Sequence, residues 1–592
     1  MEHPQETYEA GVYRADNVRL LDLAGNKALP VGVDVFRTVV KNYIFVDKSM
    51  LIADVLEAPG ATTLYCRPRR FGKSLNLSML QAFFEAPVEG DPFLADTTEL
   101  FSGLSIWDAE EGRYRAHHGA YPVIRFSFND VKDLKWQTAR ETIRVKMAFE
   151  CSRHGYLAES PQLTDGDKVA FKAIAGQKAS EGELKRSLST LASLLYKHHE
   201  APVVVLIDEY DAPVMAGYTN GYYNDVVDFL KGWLTGMLKS NEVLAFAVLT
   251  GVQRISKESI FSDLNNLTVN TSLSLASDER YGFTQAEIEA IAAYRGQEDG
   301  VEDARAWYDG YRFGSVDVYN PWSALNYFKN DCAPDLYWAN TSGNGVLGDM
   351  VRTSSDRTMA DLYHLMEPGG FVEKTLDLSV VFPDVGIRPD TLWSMLYLAG
   401  YVTTEDVELP NSTLKTRRLH IPNEEIRELF RAEVIQRFSQ DAGGRDRLID
   451  LHATLQDGDA AIVEEKLSSI LLNNASYHDL TREAPYHTLL LGLLFGMRGY
   501  ADPVSNREAG RGRFDVRVEP VRPNRAPLLT IEAKWAAPES PESTDLPSLA
   551  QQALSQIDER AYESGAAHGD AGTMRWGIAF SGKNVACACE RA

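Results

Sequence analysis

Apolar and polar positions change their period along the chain. Residues 61–66, "ATTLYC", form a short β-rich apolar run that predicts a strand. Directly after the next loop, Leu75, Met79, Leu80, Phe83 and Phe84 recur in "SLNLSMLQAFFE" (74–85) at the spacing of one buried helix face. "PVIRFSF" (122–128) predicts another strand. "APVVVLIDEYD" (201–211) is a continuous apolar run that ends in acids, the pattern of a parallel strand covered on both faces. "VLAFAVLTG" (243–251) repeats that pattern and is closed by Gly251. Strands and helices alternate in this way over roughly the first 280 residues, which predicts an α/β fold with a parallel sheet and flanking helices.

From about 285 to 440 the pattern is mostly helical and aromatic, with "WYDGYRFG" (307–314) and "YNPWSALNYF" (319–328). Trp307, Tyr308, Tyr311, Phe313, Tyr319 and Trp322 suit either a base-stacking platform or a packed core, and the nearby Gly and Pro favour the core. "LPNSTLKTRRLHIPNEEIRELF" (409–430) predicts a turn, a strand and a helix. Past about 445 a helical stretch gives way to a second α/β pattern. A helix is predicted over 486–500, strands over 512–520 and 528–535, a helix over 546–563 and a last strand over 575–582. The expected domains are 1–285, 286–444 (a mostly helical middle or lid domain) and 445–592. No internal repeat is visible, which argues against a signalling ATPase with an appended repeat sensor.

At 592 residues the chain exceeds one hydrophobic core, and its length suggests about three to four domains. The longest apolar runs, such as "LLLGLLFGM" (489–497), fall far short of the roughly 20 residues that span a membrane. The polar, acidic N-terminus is unlike a secretory signal, and five scattered cysteines fit a reducing, cytoplasmic setting. Cys587 and Cys589 form a C-x-C pair, too few thiols for a structural zinc site. A net charge of −24 opposes loose wrapping of nucleic acid, so any nucleic-acid chemistry needs its positive charge concentrated locally.

"RPRRFGKS" (67–74) ends like a phosphate loop, in Gly72, Lys73 and Ser74, but Arg67 stands where the opening glycine of G-x-x-x-x-G-K-[ST] is usual. A predicted strand precedes it and a predicted helix follows, so the helix N-terminus can meet phosphate. Lys73 is expected on the β/γ-phosphates. Ser74 and Asp208 are expected to hold Mg²⁺, and Glu209 to polarise the attacking water. Thr250 is expected to contact that water, and Arg254 is a candidate phosphate sensor. Arg67 can lend backbone N–H groups. Arg69 and Arg70 either face phosphate or are surface charges. Asp211 can brace the loop.

Near the C-terminus, Glu532 and Lys534 alternate along "TIEAKW" and share one strand face, with Ala533 opposite. Antiparallel pairing of 512–520 with 528–535 places Asp515 beside them. Asp515 and Glu532 can then hold Mg²⁺, with Mn²⁺ as a substitute, for phosphodiester cleavage. Lys534 would orient water or balance charge. Glu483 or Glu508 could add a ligand, and Gln556 could touch phosphate or water. His478 and His487 read as structural. Taken alone, the E-x-K pattern more often marks a salt-bridged, solvated face.

These motifs resemble those of bacterial and archaeal AAA-ATPase-like proteins that carry a C-terminal nuclease-like domain of the PD-(D/E)XK superfamily. The resemblance rests on "LPVGVDVFRTVVKNYIFVDKSMLI" (29–52), "RPRRFGKSLNLSML" (67–80), "VVVLIDEYDAPV" (203–214) and "LTGVQRISKESIFSDLNNL" (249–267). "YDGYRFG" and "VYNPWSAL" (308–325) continue it, and "EAPYH" (483–487), "GRGRFD" (510–515), "EAK" (532–534) and "ALSQI" (553–557) complete it. The family shares the R-P-R-R-F-G-K-[ST] loop. The resemblance implies an AAA-like P-loop ATPase domain, a helical middle domain and a PD-(D/E)XK α/β domain. It further implies ATP and Mg²⁺ as cofactors, with DNA or RNA as partner, and it leaves a homo-oligomer open. The expected activity is ATP hydrolysis whose nucleotide state controls a Mg²⁺-dependent nuclease. The alternative is a nucleotide-switched regulatory or binding module whose nuclease-like domain does not cleave.

Overall fold

Val203 to Ile207 are apolar, β-branched or leucine, and all five are fully buried ahead of the nearly buried Asp208. Only a strand covered on both faces accommodates such a run. In the computed structural model it lies inside a five-stranded, all-parallel sheet. The order is Val123–Ser127, Val203–Asp208, Leu244–Gly251, Thr62–Cys66 and Leu267–Asn270. Helices Trp136–Arg153, Ser187–His199 and Tyr223–Leu238 share one core cluster with these strands. Trp233 anchors that cluster between the rings of Phe126 and Phe128, with centroids 4.9 and 5.5 Å away, and its indole N–H donates to Ser187 Oγ at 3.1 Å.

The structure describes all residues except 1–6, 10, 59, 89–93, 240, 254–260, 262–265, 339–346, 349–350, 353, 379–388, 406–415, 475–482, 510–511, 564–565 and 567–568. Arg254 and His478 lie outside the described residues. The chain forms two compact units. The first comprises Met1–Asn340 and Glu373–Glu425, the second Thr341–Val372 and Ile426–Ala592. Residues 286–444 are thus shared between the two.

The first unit also contains an antiparallel sheet of Thr7–Glu9, Val12–Ala15, Val18–Leu21 and Phe45–Val46, which the sequence pattern did not predict. Its strands are two to four residues long, too short to display a period. The aromatic stretch resolves into helix Val301–Tyr308, the hairpin Tyr311–Phe313 with Val316–Val318, and helix Pro321–Lys329. Tyr308, Tyr311, Phe313 and Tyr319 are buried, so these rings form core and not a stacking platform.

The second unit carries a mixed five-stranded sheet in the order Val504–Ser505, Val516–Val518, Leu528–Trp535, Thr573–Ser581 and Asn584–Arg591. Val516–Val518 pairs antiparallel with Leu528–Trp535, as the sequence predicts. Leu528–Trp535 pairs parallel with Thr573–Ser581, and helix Leu546–Arg560 makes the crossover and packs on both. The predicted helix over 486–500 is Glu483–Leu493 instead. It stops because Gly496 and Gly499 adopt φ of +74° and +86°, which a continuing right-handed helix excludes. The last strand, Asn584–Arg591, lies beyond the final predicted one and carries Cys587 and Cys589. Burial pushes both thiols up, Cys589 to about 11.

Candidate functional site

The phosphate-type loop joins strand Thr62–Cys66 to helix Lys73–Phe84. Gly72 caps that helix at φ +79°. A Cβ there would meet nothing within 4 Å, so the left-handed backbone and not lack of space calls for glycine. Arg70 is left-handed as well, at φ +70°.

Because Leu244–Gly251 lies between the loop strand and the acid strand, three polar side chains converge at the strand ends. Ser74 Oγ donates to Asp208 Oδ2 at 2.6 Å, and Thr250 Oγ1 donates to Asp208 Oδ1 at 2.5 Å. Lys73 is buried, and its Nζ donates to the carbonyls of Arg67 and Pro68 at 3.0 and 2.6 Å. Burial pulls its pKa down, against the opposing pull of Glu209, Asp208 and Asp211. Glu209 takes φ +50°, and its carboxylate lies 3.8 Å from Lys132 Nζ in a partly exposed pair. Asp211 braces the neighbouring turn by accepting from the N–H groups of Val252 and Gln253 at 2.8 and 3.1 Å. Tyr210 reinforces it through a hydroxyl that donates to the Gln253 carbonyl at 2.7 Å. Tyr210 was not singled out from sequence, although its place between Glu209 and Asp211 was the available signal.

Arg67 explains the missing glycine. Its backbone N–H donates to the Gly251 carbonyl at 3.1 Å, so that group belongs to the sheet and not to a phosphate cradle. The guanidinium is fully buried. It donates to the Cys66 and Asn270 carbonyls at 3.0 and 3.2 Å and to Asn270 Oδ1 at 2.7 Å. It also lies 5.1 and 5.0 Å from the ring centroids of Tyr281 and Phe313. Phe71 wedges beside the same hairpin, 4.9 Å from Tyr311 and 5.0 Å from Phe313. The loop is therefore anchored to its surroundings by its own Arg67 and Phe71. Asn270 and Tyr281 were invisible to sequence reasoning because they lie some two hundred residues downstream. Arg70 stacks on Trp322 at 4.1 Å and is exposed; Arg69 is half-buried. Arg67→Ala would strand several buried carbonyls, so we expect a loss of about 3 kcal/mol in urea unfolding.

In the second unit, Val516 pairs with Ile531, which sets Asp515 opposite Glu532. Asp515 Oδ2 accepts from the Ala533 N–H at 2.7 Å, and this bond fixes the carboxylate at the strand edge. Lys534 Nζ donates to Gln556 Oε1 at 2.9 Å, while Gln556 Nε2 donates to Glu532 Oε1 and, at 3.2 Å, contacts the Tyr562 hydroxyl. Glu532, Lys534 and Gln556 thus form one hydrogen-bonded chain, and Asp515 sits opposite Glu532, tied to the backbone of Ala533. Tyr562 was missed from sequence; it follows the left-handed Ala561 (φ +51°), which turns the chain back off the helix end. Glu483 begins helix Glu483–Leu493, is exposed, and raises the Asp515 pKa by its charge. His487 Nε2 lies 3.2 Å from the Asp515 carbonyl, a structural bond.

Burial raises the Asp515 pKa, and burial together with the Asp515 charge pushes Glu532 up to about 8. Glu532 is 5% exposed, and its Oε2 has no hydrogen-bond partner among the described residues. A buried carboxylate oxygen without a partner fits a cation ligand. Among the described residues no three His, Cys, Asp or Glu side chains form a ready metal cage. Both sites fit Mg²⁺ all the same, since that ion is typically held by one or two carboxylates together with substrate phosphate and water. No helix among the described residues is long and apolar enough to cross a membrane.

Residues 30–261 match the AAA-ATPase-like family, described as "Predicted AAA-ATPase". Residues 481–590 match the PD-(D/E)XK nuclease superfamily. An "Uncharacterized protein in vnfD 5'region" of Azotobacter chroococcum mcd 1 is 27% identical over 428 residues, 70% of each chain. One chain of the solved "Structure of Drosophila ORC bound to DNA" is 12% identical and covers 68% of this chain and 87% of its own. Its TM-score of 0.22 is too low to carry an argument. The chain carries an AAA-ATPase-like domain and, C-terminal to it, a domain of the PD-(D/E)XK nuclease superfamily.

Proposed function

We propose that the chain binds and hydrolyses ATP at the Lys73–Asp208 site, and that nucleotide state controls Mg²⁺-dependent cleavage of nucleic-acid phosphodiesters at the Asp515–Glu532–Lys534 site. One observation carries the reading: the chain holds two separate buried carboxylate sites, each with a lysine beside it. At the first, Lys73 leaves the Arg67 and Pro68 carbonyls to meet the β/γ-phosphates. Ser74 and Asp208 hold Mg²⁺, Glu209 orients the attacking water, and Thr250 keeps Asp208 in place. Arg69 and Arg70 border the phosphates, and Arg254 senses the γ-phosphate. Residues 286–444 relay the nucleotide state.

At the second site Asp515 and Glu532 hold the divalent ion, with Glu483 at the rim. When bound, that ion supplies polarisation of the phosphate and a lowered pKa of water. Lys534 balances charge on the phosphate, and Gln556 orients both Lys534 and Glu532. The test is a paired assay on purified full-length chain: phosphate release from ATP, and cleavage of DNA and RNA with Mg²⁺ or Mn²⁺, each with and without ATP. ATP turnover with no cleavage of any substrate would move the reading to a nucleotide-switched binding module, which the net charge of −24 favours.

Glu532 makes metal uptake pH-dependent. Its carboxyl holds its proton up to about 8, and the proton must leave before the oxygen binds metal. Mn²⁺ affinity, read by calorimetry from pH 6.5 to 9, should rise about tenfold per unit below pH 8 and level off above it. A flat profile would remove Glu532 from the ligand set.

A further inference from the structure

A nuclease in an acidic chain needs concentrated positive charge, and the second unit has one such place away from its carboxylates. Tyr500 bridges Pro520 antiparallel, and the Val521 N–H donates to the Gly499 carbonyl at 2.9 Å. Arg498 precedes Gly499 and Arg522 follows Val521, so the two arginines flank that hydrogen bond. The chain then turns, with the Arg525 N–H donating to the Arg522 carbonyl at 2.9 Å, which brings Arg525 to the same end. All three arginines are exposed, and Val521 beside Arg522 is 66% exposed.

Two acids of this region are engaged elsewhere. Glu519 pairs with Arg517 at 2.9 Å and Asp502 with Arg431 at 2.8 Å. Asp570 is the acid on the adjoining turn, where its N–H donates to Asn524 Oδ1 at 3.4 Å. Arg498, Arg522 and Arg525 make no ion pair or side-chain hydrogen bond among the described residues. Like charges gathered at one end of the unit, with no ion pair among the described residues, repel one another and suit an external anion.

We propose that Arg498, Arg522 and Arg525 form a remote grip on the phosphodiester backbone of the nucleic acid cleaved at Asp515 and Glu532. The inference rests on the nuclease reading and deepens it. Residues 515 to 522 follow extended chain at about 3.3 Å each, so the grip lies roughly 20 Å from the carboxylates. That span equals about six phosphates along one strand. The substrate therefore extends several nucleotides beyond the scissile bond, and the arginines contact backbone without reading bases.

The test is equilibrium binding in EDTA of labelled 30-base-pair DNA and RNA duplexes to the full chain. The same measurement is made on R498E/R522E/R525E and on the milder R522A/R525A, each checked by circular dichroism. The grip predicts at least roughly tenfold weaker binding for the triple variant. It also predicts a log–log salt slope shallower by about 2 to 3, near 0.9 per lost phosphate contact. Loss with only one of the two duplexes assigns the grip to that nucleic acid. Equal binding and slope in parent and variants would overturn it, as would absence of binding in the parent. Cleavage of a small phosphodiester by the parent is scored separately, so loss of the grip and loss of the nuclease reading are distinguishable.

Discussion

Lys73→Ala is expected to lower ATP turnover at least ~100-fold in kcat in a folded protein, the scale of removing one preorganised charge from a phosphoryl site. Lys73 opens a helix, and alanine is a good helix former, so the helix itself is not threatened. What is lost is the ammonium that the carbonyls of Arg67 and Pro68 hold at the loop. Asp208→Asn should match it by a different route. The amide keeps one acceptor oxygen for either the Ser74 or the Thr250 hydroxyl, while the other hydroxyl must turn to accept from the new NH2, and the charge that would hold Mg²⁺ is lost. A thermal-shift series with Mg-ATP separates binding from chemistry. At ligand a hundredfold over Kd the parent gains about 2.7 kcal/mol, and Lys73→Ala gains none. Unchanged phosphate release from both variants would end the ATPase reading.

How far the sequence reached depends on how local each feature is. Strand, loop and helix around Lys73 are contiguous, so their order alone predicted the cradle, and Ser74 and Asp208 do meet. Glu532 and Lys534 share a face because a strand has period two, and Asp515 joins them through simple antiparallel pairing. Arg67 could not be read so. Its partners Asn270 and Tyr281 become neighbours only when the Leu267–Asn270 strand docks beside the loop strand. The N-terminal sheet and the end of the helix at Leu493 failed for a related reason: strands of two to four residues and glycine conformations leave no periodic trace. The arginines at 498, 522 and 525 look like scattered surface charge in the sequence. The bridge between Tyr500 and Pro520 and the turn from Arg522 to Arg525 bring them together, a grouping the linear sequence does not display.

Asp515→Asn should abolish nucleic-acid cleavage, by about 100-fold or more, while ATP hydrolysis persists in the same preparation. The amide can keep the bond from the Ala533 N–H, so the strand edge holds and the loss reports the charge. Lys534→Ala should act as strongly, because it removes the cation and frees the Gln556 oxygen at once. Glu532→Gln supplies a readout free of catalysis. The carboxyl ordinarily titrates at 4.5 and in the fold at about 8, so the folded state binds the extra proton between those values. Its contribution to stability is therefore full below pH 4.5 and is lost as pH rises through 8. In metal-free buffer at pH 8.5, Glu532→Gln should melt several degrees above the parent, with the gap closing near pH 5. With saturating Mn²⁺ the order should reverse, since the ion stabilises only the chain that can bind it. A glutamate retained at a cost to the empty fold and repaid on metal uptake is a ligand. One whose removal changes neither melting curve is no metal ligand, and the nuclease chemistry would then have to be sought elsewhere.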